Sequence, residues 1–381
     1  MLHWANTFNH CCFFDNNLYA SPLQQHECLV GAGVQHAISA PAGSALQQLQ
    51  AFLHRHRHQW MFGHCGYGLQ AELGGPPSAH PNRQGFADLS FFVPQVVVQL
   101  GAESIQIICT QPQSATSPAQ HWLHIQQQPV ALAPTLPTGK ANAGPVTMVP
   151  RTSRHHYLEH VSSLLQHIAR GNCYEINYCQ EFFAENTAVE PLQLYQQLCA
   201  ASPNPFSCYY KVQQAHLLCA SPERYLLRTG NRLTSQPIKG TAARAGAPLA
   251  DEAARQALAQ SPKEQAENVM VVDLVRNDLS RICQPGSVQV DELFGIYSYP
   301  QVHQMISTIS GQLLPDLDLS HILRATFPMG SMTGAPKQRV LQLIHQYEQA
   351  HRGIFSGAVG YVQPNGNFDF NVVIRSLMYN A

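Results

Sequence analysis

Residues 235–244, Ser-Gln-Pro-Ile-Lys-Gly-Thr-Ala-Ala-Arg, place a lysine at the end of a run with strand character. Pro237 restricts the residue before it to an extended backbone. Gly240 allows the backbone to come close to a ligand, and Thr241 adds a hydroxyl and an N–H beside it. Desolvation of Lys239 on a rigid strand end would favour its neutral, nucleophilic amine. The stretch therefore predicts either a nucleophilic lysine or a surface lysine before a turn.

Composition limits the kind of protein that this chain can form. It has 381 residues, of which 45% are hydrophobic, enough for two or three domains or one large intertwined one. The net charge of -1 gives no reason to expect nucleic acid or an anionic membrane as a partner. Eleven irregularly spaced cysteines fit free thiols in a reducing compartment. No signal peptide or membrane-spanning run is recognisable, so a cytoplasmic location is expected.

Three regions of the chain differ in their patterns. Residues 1–110 alternate strand-like and helix-like pieces, including an apolar run at 91–98 that predicts buried strands with an edge or bulge at Pro94. Residues 111–150 are rich in proline, glutamine and alanine and predict a linker or surface excursion. Residues 151–381 alternate helices and strands and are predicted to form a domain that carries Lys239. These patterns predict an α+β fold of layered antiparallel sheets with outer helices and a site between the sheets.

Glu223 precedes Lys239 by one predicted hairpin. A carboxyl group in that position can protonate a leaving group if its pKa is raised. The alternative is a solvated turn glutamate, or one that simply pairs with Arg224.

Glu264 and Glu267 lie three residues apart in a predicted helix and therefore share one face. Two carboxylates there supply the oxygen ligands that Mg²⁺ prefers, together with an anionic substrate. The alternative is an acidic helix start that is favoured by the helix dipole.

A glycine-rich loop at residues 327–336 precedes another predicted helix. Glycines and hydroxyls before a helix can receive an anion through backbone N–H groups. His303 and Arg375 are further candidates, for substrate polarisation and for carboxylate binding. Taken alone, each of these features is more often structural.

Four segments in a fixed order are together specific. They are PIKGT at 237–241, ENVMVVDLVRNDL at 267–279, GSMTGAPK at 330–337 and RGIFSGAVGY at 352–361. The chain resembles the chorismate-utilising enzymes, closely over about residues 155–381 and more loosely before them. Within that family, the lysine is typical of component I of the aminodeoxychorismate synthases, whereas anthranilate synthases carry a small residue in its place.

The resemblance implies a covalent reaction at the chorismate ring. Lys239 would add to C2 while Glu223 assists loss of the C4 hydroxyl, and ammonia would then enter at C4 and expel the lysine. The product would be 4-amino-4-deoxychorismate, for p-aminobenzoate and folate synthesis. The lysine must be neutral to attack, a state that burial or a nearby cation such as Arg244 would favour.

The resemblance also implies further ligands. Mg²⁺ would bind near Glu264 or Glu267. Substrate binding would involve Thr241, Gly240, Gln304, Ser331, Arg375 and Gly360.

Two features depart from the family pattern. The family's active-site histidine stands directly before a Leu-Val-Ser-like triplet, which is Met-Ile-Ser at 305–307 here, so Gln304 takes its place and His303 lies one residue earlier. In a strand, one residue turns a side chain to the other face, and glutamine cannot act as a base. The family pattern also continues beyond the position of Ala381 with a glycine-rich carboxylate-binding turn, a metal-binding glutamate and a lysine, which we expect a complete site to need.

The source of ammonia is expected to be a separate subunit. These 381 residues contain no glutaminase signature such as a glycine-rich elbow around a cysteine. We therefore expect a glutamine amidotransferase as the partner. Two alternatives stay open: anthranilate synthase component I, and an inactive chorismate-binding or scaffold protein.

Overall fold

The computed structural model describes residues 1–19, 23, 26–111, 116–128 and 146–381. Within these ranges the chain forms nine α-helices, numbered in chain order: α1 (Leu2–Asn6), α2 (Ala45–Arg55), α3 (Pro118–Gln126), α4 (Arg154–Ala169), α5 (Pro191–Ala201), α6 (Pro248–Ala259), α7 (Pro262–Ser280), α8 (Leu319–Thr326) and α9 (Lys337–Tyr347). In this part of the chain, none of the helices combines the length and apolar character that a membrane crossing requires.

The strands of the same residues are β1 (His10–Asp15), β2 (Cys28–Ala32), β3 (His36–Ala40), β4 (Met61–Cys65), β5 (Leu89–Val93), β6 (Val96–Leu100), β7 (Ile105–Cys109), β8 (Val149–Pro150), β9 (Glu175–Ile176), β10 (Phe182–Phe183), β11 (Phe206–Val212), β12 (Ala215–Ser221), β13 (Arg224–Thr229), β14 (Arg232–Gln236), β15 (Ile238–Ala243), β16 (Gln289–Ser298), β17 (Val302–Gln312), β18 (Gly334–Ala335), β19 (Ala358–Val362), β20 (Phe368–Val372) and β21 (Ser376–Asn380).

Two large antiparallel sheets organise these strands. The seven-stranded sheet has the order β21-β12-β11-β1-β2-β6-β7. The ten-stranded sheet has the order β15-β17-β14-β13-β20-β19-β4-β5-β3, with β16 also paired to β17. Two short pairs, β10 with β8 and β18 with β9, lie outside both sheets.

The fold has four layers, which are the two sheets and the helices on the outer face of each, and apolar clusters lie between them. An aromatic cluster that includes Phe62, Phe92 and Tyr210 lies between the two sheets. A second cluster joins the ten-stranded sheet to α2, α7 and α8. A third joins the seven-stranded sheet to α1, α3 and α5. This arrangement confirms the predicted α+β fold of layered antiparallel sheets with outer helices.

The apolar run at residues 91–98 is divided between the two sheets. Pro94 has no N–H to donate to a ladder, so β5 ends before it. The N–H of Gln95 then bonds to the carbonyl of Ala32 in the seven-stranded sheet, where β6 begins. The expected irregularity at Pro94 is therefore the point at which the chain crosses from one sheet to the other.

Strands from both ends of the sequence share each sheet. β1 lies between β2 and β11, and β4 pairs with β19. Of the predicted linker at 111–150, residues 116–128 include α3, while residues 112–115 and 129–145 lie outside the described residues. The proposed boundaries at 110 and 150 stay a prediction.

Candidate active site

Lys239 lies on β15, which pairs with β17 at one edge of the ten-stranded sheet. Its side chain is only 15% exposed and its Nζ donates to Oε1 of Glu175 on β9. The Oδ1 of Asn177 lies 3.5 Å from the same nitrogen. The carbonyl of Lys239 accepts from Nδ2 of Asn268 at 3.3 Å, which ties this backbone to α7.

The charge beside Lys239 differs from the expected one. Arg244 makes an ion pair with Asp251 and donates to the carbonyl of Tyr299 at 2.9 Å. The ionised partner of Lys239 is the carboxylate of Glu175. Arg244 thus has partners of its own, and the described charged contact of Lys239 is with an anion.

Glu223 lies in the turn that carries the chain from β12 in one sheet to β13 in the other. It is 4% exposed, and its Oε1 accepts from Oγ of Ser331 at 2.6 Å. Burial raises the pKa of Glu223 to about 7, although the Ser331 hydrogen bond and the charge of Lys239 act in the opposite direction. Near neutral pH this carboxyl group can therefore hold a proton and give it away.

Both alternatives for Glu223 are wrong, because it is neither a solvated turn glutamate nor a simple partner of Arg224. Arg224 is fully buried and makes two hydrogen bonds to the carboxylate of Asp369, from Nε and Nη2, both at 3.0 Å. A third, from Nη1 to Oε1 of Gln236, is 2.7 Å long. The guanidinium thus has its own partners on neighbouring strands, and Glu223 is free to face Ser331.

The glycine-rich loop closes the site by pairing with β9. Gly334 pairs with Ile176, and a Cβ on Gly334 would lie 2.1 Å from the carbonyl oxygen of Glu175. Its φ of +136° is a second reason for glycine here. This pairing puts Glu175 next to Lys239, while Ser331 in the same loop reaches Glu223.

A buried arginine fixes the two segments that form this pair. Arg352 donates to the carbonyl of Met332 at 2.9 Å and to the carbonyl of Asn177 at 2.8 Å. Its remaining partners include both carboxylate oxygens of Glu348, at 2.9 and 2.6 Å. One guanidinium therefore links the loop to the segment after β9, in addition to their backbone pairing.

The predicted metal carboxylates lie at the start of α7. The hydroxyl of Ser261 accepts from the N–H of Glu264 at 3.4 Å and caps this helix. Gly240 has a φ of +97°, and a Cβ there would lie 3.2 Å from Oε2 of Glu264. Glu264 therefore sits against the residue that follows the nucleophile candidate.

Glu264 and Glu267 converge on one cation. The Nζ of Lys263 lies 3.1 Å from Oε1 of Glu264 and 3.3 Å from Oε1 of Glu267. The ammonium group of Lys263 thus occupies a position that one oxygen of each carboxylate can reach. This oxygen donor set fits a hard divalent cation such as Mg²⁺.

His303 and Gln304 are neighbours on β17, but their side chains have different surroundings. His303 bonds to Oδ1 of Asp251 at 3.1 Å and to Oγ of Ser298 at 2.8 Å. Gln304 pairs across the ladder with Thr241, is 2% exposed, and its Oε1 finds no hydrogen-bond partner in the described part of the chain. A buried, unpaired amide oxygen is costly, so Gln304 has an acceptor to spare for a ligand.

Gly360 and Arg375 are two further residues that are predicted to bind substrate. Gly360 is in the middle of β19, where a Cβ would lie 2.2 Å from the carbonyl oxygen of Asp369. Close strand packing explains this glycine. Arg375 follows β20 with a φ of +48°, and burial lowers the pKa of Arg375 while the nearby Tyr299 opposes that effect. Substrate binding by these two residues stays a prediction.

Glu175 and Asn177 are the site residues that the sequence analysis does not single out. Residues 173–180, Cys-Tyr-Glu-Ile-Asn-Tyr-Cys-Gln, alternate in a pattern that predicts a strand, of which the structure forms only Glu175 and Ile176. Such an alternation places Glu175 and Asn177 on one face and is therefore a usable signal. Their proximity to Lys239 depends on pairing with the glycine-rich loop, which no local pattern reveals.

A sequence profile described as chorismate binding enzyme matches residues 15–381. The chain belongs to this family. Its fold agrees with that of anthranilate synthase component I from Streptococcus pneumoniae, with a TM-score of 0.76, 23% identity and coverage of 95% of this chain and 86% of that one. The menaquinone-specific isochorismate synthase MenF of Escherichia coli has a TM-score of 0.69, 16% identity and coverage of 100% and 82%.

Curated members of the chorismate-binding family share more of the sequence. Aminodeoxychorismate synthase of Arabidopsis thaliana is 36% identical over 329 residues, which are 83% of this chain and 36% of that protein. Aminodeoxychorismate synthase component 1 of Klebsiella aerogenes is 40% identical over 258 residues, or 67% of this chain and 55% of that protein. The chain thus spans about a third to just over half of the length of these relatives.

Proposed function

We propose that this chain converts chorismate and ammonia to 4-amino-4-deoxychorismate. The observation that carries this proposal is the placement of Lys239, mostly buried on a strand edge, within the electrostatic reach of a carboxyl group that retains a proton near pH 7. A nucleophile and a general acid are the two groups that this substitution needs. The names of the Arabidopsis and Klebsiella relatives support the same product.

The reaction proceeds in two displacements. The neutral amine of Lys239 forms a bond to C2 of chorismate, the ring double bond shifts, and the C4–O bond breaks. Glu223 gives its proton to the departing hydroxide, which leaves as water. Ammonia then forms a bond to C4, the C2–N bond breaks, and the new amino group returns a proton to Glu223.

Mg²⁺ is the expected cofactor, held by Glu264 and Glu267. When bound, it would neutralise a carboxylate of chorismate and fix the ring relative to β15. Lys263 would have to move aside, because its Nζ contacts both carboxylates. A shift of this exposed side chain is cheap, as Lys263 is 74% exposed.

Further groups of the chain would orient the substrate. The amide of Gln304 and the hydroxyl of Thr241 lie opposite each other on β17 and β15 and offer hydrogen bonds beside the lysine. Arg375 is the candidate cation for the second carboxylate. A glutamine amidotransferase subunit would supply ammonia. All eleven cysteines are free, which suits a reducing compartment such as the cytoplasm.

Product identification tests the proposal directly. The protein is supplied with chorismate, an ammonium salt and Mg²⁺, and the products are separated by chromatography. We expect 4-amino-4-deoxychorismate, and we expect chelation of the metal to abolish its formation. Anthranilate as the sole product would reject the proposal and favour direct addition of ammonia without a covalent lysine. Tight binding of chorismate without any product would favour the scaffold alternative.

A further inference from the structure

We propose that Glu175 accepts the proton that Lys239 must lose before its nitrogen attacks, and returns it when the lysine is expelled. This inference rests on the proposed function, because it assigns a role to the contact between these two side chains. Proton acceptance by a positioned carboxylate would let the lysine stay charged and bound at rest, yet become neutral at the moment of reaction.

The geometry limits the path that this proton can take. The Nζ of Lys239 donates to Oε1 of Glu175, and the only other acceptor described for that nitrogen is Oδ1 of Asn177, 3.5 Å away. An amide oxygen cannot hold a proton under these conditions, whereas a carboxylate can. Among the described contacts of Lys239, Glu175 is thus the group able to receive it.

The second oxygen of Glu175 supports the same role. Oε2 is buried and has no hydrogen-bond partner among the residues that the structure describes. A carboxylate that only held an ion pair would be stabilised by donors on both oxygens. A carboxylate oxygen without a donor has a free position at which a proton can be held.

The backbone holds Glu175 in place independently of its side chain. Its main chain pairs with Ala335 of the glycine-rich loop, and the neighbouring Asn177 donates from Nδ2 to the carbonyl of Ser331 at 2.9 Å. Replacement of the carboxylate by an amide therefore removes the proton acceptor and leaves the strand pairing intact.

Protons balance over the full cycle. Lys239 transfers one proton to Glu175 and attacks C2 as the neutral amine, while Glu223 protonates the leaving hydroxide. When ammonia enters at C4 and the C2–N bond breaks, the lysine leaves as a neutral amine and recovers its proton from Glu175. The ammonium formed at C4 returns a proton to Glu223. The net reaction consumes chorismate and ammonia and releases the amino product and water.

The test combines Glu175→Gln with the pH dependence of turnover. We expect kcat to fall about 100-fold near pH 7 with little change in KM for chorismate, which is the size of effect typical of a lost proton acceptor. The difference in kcat between the variant and the unaltered protein should narrow as pH rises, because hydroxide can then accept the proton of Lys239. Glu175→Asp, which keeps a carboxylate, should recover part of the activity. Glu252→Gln on the exposed face of α6 is the matched control and should behave like the unaltered protein.

A second measurement does not depend on turnover. Competitive labelling of amines, read by mass spectrometry, gives the pH at which Lys239 becomes reactive. Loss of the carboxylate should let Lys239 react at a lower pH in Glu175→Gln than in the unaltered protein. An unchanged labelling midpoint, or an activity deficit equal at every pH, would overturn the role of Glu175. If the protein makes no amino product at all, the proposed function fails and the labelling alone decides whether Glu175 controls the proton of Lys239.

Discussion

Two polar clusters lie along the segment around β9, a fully buried one around Arg352 and Glu348 and a partly buried one around Lys239 and Glu175. They differ in how completely their charged groups are paired. Arg352 uses its guanidinium on both oxygens of Glu348 and on two backbone carbonyls, and its charge lies 4.4 Å from the ring of Tyr67. In the cluster around Lys239, one oxygen of Glu175 has no partner among the described residues. Nearby, Glu223 has a pKa raised to about 7. A saturated cluster holds structure, whereas an unsaturated one keeps binding capacity for a substrate.

Lys239→Ala tests the unsaturated cluster most severely. If the amine forms a covalent bond, kcat should fall by at least about 10³-fold while affinity for chorismate changes far less. Mass spectrometry during turnover should detect a substrate adduct on the unaltered lysine. Lys211→Ala is a control, because the Nζ of Lys211 donates to the carbonyl of Asn6, which is not part of the candidate site. Full activity of Lys239→Ala would remove the covalent step.

Arg352→Met tests the saturated cluster, and its effect should be on stability. The substitution leaves Glu348 buried without its partner, so the free energy of unfolding should fall by about 3–5 kcal/mol. Urea denaturation measures this loss. The double variant Arg352→Met with Glu348→Leu should recover part of it, since no charge is then left unpaired. A single variant as stable as the unaltered protein would show that this pair does not hold the loop to β9.

Glu223→Gln should lower kcat by about 100-fold, because glutamine cannot donate the proton to the leaving group. The unaltered protein should lose activity above about pH 7 as Glu223 loses its proton, and the variant should lack that limb. A carboxyl whose pKa is raised in the folded state also costs stability as pH rises from 4.5 to about 7. Chemical denaturation across this range should show a steeper decline of stability in the unaltered protein than in Glu223→Gln, which keeps the other buried carboxyl groups. A retained alkaline limb in Glu223→Gln would assign it to another group.

Ser331→Ala should have the smallest effect of the four. It removes one hydrogen bond to Glu223, so kcat near pH 7 should fall by about tenfold. Because that bond lowers the pKa of Glu223, its loss should move the alkaline limb to higher pH. Ser90→Ala, in β5 towards the other edge of the sheet, is a matched buried control. A shift of the alkaline limb of the pH profile to lower pH would contradict the hydrogen bond between Ser331 and Glu223.

Local sequence patterns predict the bounds of helices and strands better than they predict which strands pair with each other. The sequence predicts a helix at 191–201, a break at Ser-Pro-Asn-Pro (202–205) and a strand at 206–212, and the structure has both elements at these bounds. The position of Glu175 depends on pairing between β9 and β18, which are far apart in the chain. Such contacts follow from tertiary packing, so no window of sequence contains them.

The candidate site was predictable where chemistry depends on residue type and motif. Glu223 and Lys239 are separated by one hairpin, as the sequence predicts, but β15 continues to Ala243, so Lys239 lies near the start of a strand and not at a strand end. The ion pair of Lys239 was not predictable, because it depends on which side chain the folded loop brings near. The division of roles between His303 and Gln304 depends on strand register, and a shift of one residue would reverse it.

The pairing of β4 with β19 has a consequence for the synthesis of this protein. Residue 65 lies opposite residue 358 in the ten-stranded sheet. At translation rates of about 5–20 residues per second, roughly 15 to 60 seconds pass between the synthesis of β4 and that of its neighbour β19. Until then, β4, which pairs with β5 on its other side, presents an apolar edge with open backbone groups to other nascent chains. The ribosome-bound intermediate is therefore a stage at which this edge can pair with another chain.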